Sequence, residues 1–369
     1  MAAQHARPSG TPTVPTEILT ASVVGGGGGG RLSMNGLTQS PHFRLIAAAD
    51  LRPDVCASLR AEFPGLQTFA SHEEMFAQCP TEIVCVSTFP PSHREVTLAA
   101  LKLPLKGILV EKPLGDTYAA GREILTAIRA KKIPVCVPHG LLVAFHAVEI
   151  LRRVREGVIG RLDLVEIECD KWDLMNAGIH WLNFAVVLAQ SQGHPFEAVL
   201  CSADAGTRTY RDGLQVETEA MTTAYTAGGL RVMLHSGDYI KIRDGKGTLF
   251  RLIGNKGRIE FYGWESCYFL QNADHPAGTL LDIPRDSRGF HQAHLDRLAA
   301  DIAAGKPDYA VAESSLAALE LVEAAYQSHR HRCRVPLPLE KFTPPAVNDW
   351  DPGKPYTNQP GGRDGRKLS

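Results

Sequence analysis

The chain has 369 residues, of which 44% are hydrophobic and 21% charged, and its formal net charge is -1. This length suggests two or three domains, and this composition supports a full hydrophobic core. A nearly neutral chain gives no reason to expect nucleic acid or an anionic membrane surface as a partner, and no apolar run is long enough to predict a membrane span.

Residues 1–16 are rich in proline, alanine, serine and threonine and lack a basic start followed by an apolar stretch. This pattern predicts a disordered leader and not a secretion signal. The 8 cysteines are scattered without a CxxC pair, and Cys85, Cys136 and Cys201 lie in apolar runs. Buried free thiols in a reducing, cytoplasmic compartment explain this better than disulfides or a zinc site, so we expect no bound metal.

Six consecutive glycines, Gly25–Gly30, lie between an apolar run and a segment that can begin a helix. A flexible linker is the ordinary explanation of such a run. Here, however, a second apolar run, Phe43–Ala49, ends at Asp50, which falls 20 residues after Gly30. Strand, glycine turn, helix, strand and acid in this order favour a dinucleotide site.

The predicted register gives each glycine a different role. Gly25 makes the tight turn, Gly27 lets backbone N–H groups approach the pyrophosphate, and Gly30 allows the helix to pack closely on the strand. The phosphates would lie on the helix N-terminus. Gly28 and Gly29 complete the loop and should tolerate substitution better.

The acid at the end of the second strand predicts which dinucleotide binds. Asp50 can accept hydrogen bonds from the adenosine ribose hydroxyls but would repel a 2′-phosphate, so NAD is preferred over NADP. Arg52 complicates this prediction, because a guanidinium that reached the phosphate would permit the use of both cofactors.

Short apolar runs alternate with helical stretches over residues 17–137. Runs that are apolar throughout predict a parallel sheet covered on both faces, that is, a doubly wound α/β domain with its ligands at the carboxyl ends of the strands. The predicted strands are Leu19–Val24, Leu45–Ala49, Ile83–Ser87, Gly107–Val110 and Val135–Val137, and the helices between them include Pro53–Glu62, His93–Leu101 and Thr117–Ala130.

Two of these strands run into segments that could carry chemistry. Thr88 and His93 belong to a proline-rich segment after the third strand, which could line the cofactor or be an ordinary turn. The fourth strand is followed by Glu111-Lys112-Pro113, which fixes a lysine at the lip of the predicted crevice. A lysine after a strand is usually a solvated end residue, and residue chemistry alone does not choose between that and a catalytic role.

The pattern changes beyond residue 138. Helical stretches (Val143–Glu156, Ile179–Ala189) are followed by alternating runs with turn sequences such as Asp244-Gly245 between them. Consecutive strands with turn chemistry predict a mostly antiparallel sheet, and therefore an α+β second domain over residues 138–340. The remaining predicted elements are strands at Glu217–Tyr225, Arg231–Ser236, Thr248–Ile253 and Arg258–Tyr262, helices at Phe290–Ala304 and Glu313–Arg330, and a tail or arm over 341–369.

One group of polar residues in the second domain could take part in proton exchange. Asn176, His180 and Asn183 are spaced by four and three residues, so a helix would place them on one face, with an imidazole between two amides. Imidazole exchanges protons near neutral pH. The chain has 14 histidines, and spacing alone does not favour His180 over His291 or His294.

Several motifs together resemble the Gfo/Idh/MocA family of sugar and cyclitol dehydrogenases. They are the glycine motif followed by Arg31, the strand that ends at Asp50, the Glu111-Lys112-Pro113 block, and Gly178-Ile179-His180 at a helix start. The resemblance extends over about residues 17–340. It implies a Rossmann domain, and a second α/β domain whose open sheet often builds the interface of a dimer or tetramer.

The resemblance also implies that Lys112 and His180 are the catalytic pair. Family members commonly carry aspartate where Asn176 stands, and often another where Asn183 stands. Since amides can hydrogen-bond a sugar but cannot take its proton, the proton transfer falls to His180 and Lys112. Trp172 could offer an apolar face to a sugar ring, although a core tryptophan is the ordinary explanation. The expected cofactor-binding residues are Gly25, Gly27, Gly28, Gly29, Gly30, Arg31, Asp50, Arg52, Thr88, His93, Glu111 and Lys112.

The expected reaction is hydride transfer between a nicotinamide and a carbinol or keto carbon of a sugar, cyclitol or glycoside. Two alternatives stay open at this point. One is a glycoside-cleaving enzyme that retains its NAD and oxidises a ring carbon transiently. The other is a non-catalytic regulator that senses the dinucleotide, against which the presence of both Lys112 and His180 counts.

Overall fold

The computed structural model describes residues 17–204, 210–344 and 353–355. In these ranges the chain forms a 6-stranded sheet, a 9-stranded sheet and a 2-stranded ribbon. The predicted leader, residues 1–16, and most of the predicted tail lie outside the described residues.

The first sheet is parallel throughout, with the strand order β3-β2-β1-β4-β5-β6. The order reverses between β1 and β4, and in such a sheet the crevice at the reversal binds ligands. All four residues of β4 are buried, as expected for a strand covered on both faces. The strands are β1 Leu19–Val24, β2 Phe43–Ala49, β3 Gln67–Phe69, β4 Ile83–Val86, β5 Gly107–Val110 and β6 Val135–Cys136.

Five helices follow these strands. The side chains of Ser71 and Thr117 cap α3 and α5 by accepting a backbone N–H, whereas α1 begins at Gly28 without a side-chain cap or an acidic residue in its first turn. The helices are α1 Gly28–Gln39, α2 Pro53–Glu62, α3 His72–Gln78, α4 Pro90–Ala100 and α5 Tyr118–Lys131. The sequence prediction missed β3 and α3, and it started α4 three residues late.

The second sheet has the order β16-β15-β14-β13-β7-β12-β11-β8-β17. Only β7 and β12 pair in parallel in this sheet as described. The predicted fold class, a doubly wound α/β domain with an α+β domain of mostly antiparallel strands, is confirmed. The strands are β7 Leu162–Asp170, β8 Phe196–Asp204, β9 Tyr210–Arg211, β10 Leu214–Gln215, β11 Glu219–Thr226, β12 Arg231–Gly237, β13 Thr248–Gly254, β14 Gly257–Tyr262, β15 Cys267–Asn272, β16 Thr279–Asp282 and β17 Val335–Pro336.

The helices of the second half do not all belong to the second sheet. Helices α6 Phe145–Arg155, α7 Ile179–Ser191 and α9 Ala310–His331 contribute to its core. Helix α8, Phe290–Ala304, instead packs Leu295 and Leu298 into the core behind β1 and α1. The chain therefore returns to the first domain after it has built the second sheet.

A short described piece of the tail also packs back. Gly353 donates its N–H to Gln215 O at 2.6 Å, and Gln215 donates its N–H to Lys354 O at 2.8 Å, so residues 353–355 of the tail lie along β10.

All 8 cysteines are free. None of the helices in the described ranges is both long and apolar enough to cross a membrane.

Candidate active site

The turn between β1 and α1 packs too tightly for side chains at two of its glycines. Gly25 has a φ of +99°, and a Cβ there would overlap the carbonyl group of Ser87. A Cβ on Gly30 would overlap the carbonyl oxygen of Gly25. These are the tight turn and the close helix packing that the predicted register assigned to Gly25 and Gly30.

The other glycines of the run differ from one another. A Cβ on Gly26 would lie 2.5 Å from Val55 Cγ1 and 2.8 Å from Leu59 Cδ1 of α2, a restriction that the sequence analysis missed. A Cβ on Gly27 would meet nothing within 4 Å, and one on Gly29 would only touch Glu111 at 3.4 Å. The space at Gly27 and the uncapped N-terminus of α1 fit a phosphate group.

Asp50 holds the glycine turn in place from the end of β2. Its Oδ2 accepts the N–H of Gly26 at 2.7 Å, and its Oδ1 accepts the N–H and Nε of Arg52 at 2.9 and 3.1 Å. Burial raises the pKa of Asp50, but the hydrogen bonds from Arg52 and Gly26 outweigh it and leave the pKa below its ordinary value. The carboxylate is therefore charged at neutral pH and stands beside the turn, where a ribose would lie.

The guanidinium of Arg31 is engaged by protein groups on α2. It donates to Glu62 Oε2 at 2.9 Å and to Ser58 Oγ at 3.1 Å, and it also donates to the carbonyl oxygen of Gly26. In this arrangement Arg31 ties α1 to α2 and braces the glycine turn.

His93, which the sequence placed among the cofactor-binding residues, is a buried support of this edge. Its ring is fully buried, with Nδ1 at 2.9 Å from Pro113 O and Nε2 at 2.9 Å from Thr88 O. These contacts join the segment after β4 to the segment after β5, and they engage both ring nitrogens of His93 with protein carbonyl groups. Thr88 is partly exposed at the same edge, where its hydroxyl accepts from Ser92 Oγ at 2.8 Å.

Glu111 forms a buried side-chain contact that the sequence could not reveal. Its Oε1 lies 2.6 Å from Nε2 of His291, which is at the start of α8, and its Oε2 accepts the N–H of Lys112 at 3.2 Å. Burial raises the pKa of Glu111, but the adjacent His291 and Lys112 outweigh it and lower the pKa to about 2. A carboxylate that is charged at neutral pH thus lies beside Gly29 and next to Lys112.

Lys112 joins the two domains. Its Nζ donates to the carbonyl oxygen of Asn176 at 2.8 Å, within the π-helical turn Leu174–Gly178 that precedes α7. Asp173 Oδ1 accepts both the backbone N–H of Asn176 at 2.8 Å and its side-chain Nδ2 at 3.0 Å. The side-chain amide of Asn176 therefore faces Asp173, whereas its backbone carbonyl oxygen faces the ammonium of Lys112.

Buried acidic side chains hold this turn in place from within the second domain. Asp173 Oδ2 accepts Nη1 of Arg211 at 2.8 Å, and Glu217 Oε1 accepts the N–H of Leu174 at 2.5 Å. Tyr326 OH donates to Glu217 Oε2 at 2.8 Å. Burial, followed by the nearby charge of Asp173, raises the pKa of Glu217 to about 7.

His180 lies in the first turn of α7, where its ring is partly exposed. The ring stands edge-on to His139 and Trp264, at centroid distances of 5.1 and 6.2 Å, and its Nδ1 is buried without a hydrogen-bond partner. Burial, followed by the charge of Lys112, lowers the pKa of His180 well below its ordinary value. The imidazole is therefore neutral at neutral pH, the form that can accept a proton.

The imidazole flanked by two amides does not form as the spacing predicted. Asn183 is fully buried, with its Nδ2 donating to Ser314 Oγ of α9 at 2.9 Å, so it does not line the crevice. Trp172 is not a core residue: it is 39% exposed, and the guanidinium of Arg211 lies 4.6 Å from its ring centroid. In the part of the chain that the structure describes, no cluster of histidine, cysteine and acidic side chains could hold a metal ion.

Part of the chain is similar in sequence to known proteins. Residues 19–139 match the model of the GFO_IDH_MocA family, described as an oxidoreductase family with an NAD-binding Rossmann fold. An inositol 2-dehydrogenase of Rubrobacter xylanophilus is 33% identical over 113 residues, which are 30% of this chain and 32% of that protein. A 1,5-anhydro-D-fructose reductase of Ensifer adhaerens is 35% identical over 95 residues, 26% of this chain and 28% of that protein. These alignments span about a third of the curated relatives.

Solved structures extend the similarity of fold to both domains. A levoglucosan dehydrogenase in complex with NADH and levoglucosan superposes with a TM-score of 0.73 at 16% identity, covering 87% of this chain and 100% of that one. The 3-ketoreductase KijD10 of Actinomadura kijaniata, in complex with NADP, has a TM-score of 0.69 at 16% identity, covering 84% and 96% of the two chains.

Alanine substitutions in the glycine turn should separate folding from ligand binding. We expect Gly30→Ala to lower the free energy of unfolding by about 1–3 kcal/mol, since its Cβ overlaps backbone. Gly27→Ala should leave unfolding unchanged and weaken NAD binding. Denaturant unfolding without nucleotide and NAD titration measure the two effects, with Gly247→Ala, which also has open space, as the control. Unchanged NAD affinity in Gly27→Ala would show that the register is wrong.

Proposed function

We propose that this chain, whose residues 19–139 match the model of the GFO_IDH_MocA oxidoreductase family, transfers a hydride between a nicotinamide dinucleotide and a CH–OH or keto carbon of a sugar-like substrate. The observation that carries the proposal is the meeting of Lys112 with the turn that leads into His180. This contact brings the ammonium of Lys112, which follows a strand of the first sheet, close enough to the neutral imidazole of His180 for its charge to act on the pKa of that ring.

The residues around the glycine turn fit the dinucleotide. The N-terminus of α1 offers uncapped N–H groups to the phosphates, and the open space at Gly27 lets them approach. Asp50 presents a charged carboxylate to the adenosine ribose, which supports NAD over NADP. When bound, the nicotinamide supplies the hydride acceptor or donor.

The unpaired state of all 8 cysteines supports a reducing, cytoplasmic location.

The two catalytic residues have distinct tasks in this proposal. His180, neutral at neutral pH, takes the hydroxyl proton as the carbinol carbon loses its hydride. Lys112 donates a hydrogen bond to the same oxygen and stabilises the negative charge that develops on it. Glu111 holds the backbone N–H of Lys112, and the carbonyl of Asn176 orients its ammonium.

Substituting either catalytic residue should lower turnover without loss of fold or of NAD binding. General acid–base help is worth ~10²–10⁴ in rate, so we expect Lys112→Met and His180→Ala each to lose at least that much. Because both act on one oxygen, the double variant should be far less impaired than the product of the two losses.

The measurement is turnover of the first substrate found in a screen of sugars, inositols and glycosides, followed by nicotinamide absorbance alongside NAD titration. Lys102→Met and His275→Ala, both at exposed positions, are matched controls. Near wild-type turnover of His180→Ala would move the proton transfer elsewhere, with His291 and His294 as the next candidates.

Cofactor choice should depend on Asp50. We expect a higher kcat/KM with NAD than with NADP, and we expect Asp50→Ala to reduce this preference, because the carboxylate that repels a 2′-phosphate is removed. Asp54→Ala, an exposed carboxylate on α2, is the control. Comparable efficiency of the wild-type enzyme with both cofactors would contradict the assignment.

We also propose that the open face of the second sheet joins copies of this chain in a dimer or tetramer. On this face Leu200 and Met233 are exposed, and Met221 is 53% exposed, beside an ion pair of Glu168 and Arg251 at 2.8 Å. Exposed apolar side chains grouped on a sheet favour an interface.

Met221→Glu should therefore dissociate the oligomer, because it would bury a charge in the contact. Sedimentation velocity gives the mass, and circular dichroism checks the fold. Ile18→Glu, at another exposed apolar residue, is the control. A wild-type protein that sediments as a monomer at micromolar concentration would refute the proposal.

A further inference from the structure

We propose that Trp264 and Phe290 form an aromatic platform beside His180 that binds the apolar ring of an aglycone, so that the substrate is a glycoside with an aromatic aglycone and not a free polyol. This proposal rests on the proposed function, because it names the substrate class of the same site. The two rings lie 5.3 Å apart with an interplanar angle of 31°.

Both rings are large and apolar but remain open to solvent. Trp264 is 43% exposed and Phe290 is 40% exposed. A single exposed apolar side chain needs no explanation, but two aromatic rings in contact beside His180 offer a surface that a ligand can cover. Small-molecule sites are lined mostly by such side chains, with a few polar groups that fix orientation.

The platform is held rigidly from behind. The buried ring of Trp181 packs against Trp264 at 5.1 Å between centroids. Gly140 lies beneath both exposed rings, and a Cβ there would come within 2.9 Å of Phe290 Cδ2 and 3.0 Å of Trp264 Cζ3. The absence of a side chain at Gly140 therefore allows the two rings to seat where they do.

Each ring of the platform is tied to a residue of the proposed chemistry. The ring of Trp264 stands 6.2 Å from that of His180, nearly perpendicular to it. Phe290 is followed directly by His291, which pairs with Glu111 next to Lys112. A sugar whose reacting carbon faces His180 would thus have its neighbouring ring against the platform.

The amides that could have bound sugar hydroxyls here are already engaged. Asn176 gives its side-chain N–H to Asp173, and Asn183 gives its own to Ser314. Near His180 the contacts are aromatic, made by His139 and Trp264. Stacking on aromatic faces, and not a ring of carboxylates, is what this side of the crevice offers a substrate.

The test uses matched phenyl and methyl β-glycosides of the common hexoses with the full-length protein and saturating NAD. We expect the phenyl glycoside of the accepted sugar to have at least about a tenfold higher kcat/KM, mainly through a lower KM. Phe290→Leu and Trp264→Leu should abolish this preference while NAD binding is unchanged. Phe76→Leu, in α3 of the first domain, is the control.

Equal kcat/KM for the phenyl and methyl glycosides in the wild type, or a preference that survives both substitutions, would overturn the platform and leave the proposed function standing. A calorimetric titration of the NAD complex with the phenyl glycosides distinguishes failure of the platform from failure of the proposed function. If no carbohydrate is oxidised but phenyl glycosides bind and Phe290→Leu abolishes the binding, the platform holds and the proposed function fails. If they neither bind nor react, the platform is wrong.

Discussion

The hydrogen bond from the Lys112 ammonium to the carbonyl of Asn176 is the contact on which the candidate site depends. Lys112 comes from the end of a strand in the first sheet, and Asn176 from the turn that leads into α7 in the second domain. Neither residue alone places a cation near His180. The bond forms only while the two domains keep their relative position. The site therefore depends on the groups that hold Lys112 and Asn176 in place.

Buried charged side chains hold Lys112 and Asn176 in place. On the lysine side, Glu111 accepts the backbone N–H of Lys112 and is kept ionised by His291. On the other side, Asp173 is held by Arg211 and caps the turn around Asn176. Removing one member of a buried pair leaves an uncompensated charge, which costs more than the pair contributes. These pairs therefore fix a geometry more than they add stability.

Local sequence patterns predicted those strands and turns whose conformation depends on neighbouring residues in the sequence. Strands β4 and β5 are wholly buried and were recognised from their apolar runs, and a Cβ at Gly25 or Gly30 would overlap backbone, as expected from the roles that the register assigned. What could not be predicted depends on distant partners. Glu111 and His291 are 180 residues apart, and the restriction at Gly26 comes from side chains of α2. Helical spacing placed Asn183 with His180, but the packing of α9 turned it towards Ser314.

Helix α8 connects the proposed aromatic platform to the residues around Lys112. It follows the second sheet in sequence, yet its apolar residues complete the core of the first domain. Its first two residues, Phe290 and His291, consequently lie where the domains meet, one ring against Trp264 and the other against Glu111. Phe290 and His291 are adjacent on this helix, and Glu111 contacts both His291 and the backbone N–H of Lys112. The start of one helix therefore supplies both a ring of the proposed platform and the partner of the carboxylate that precedes Lys112.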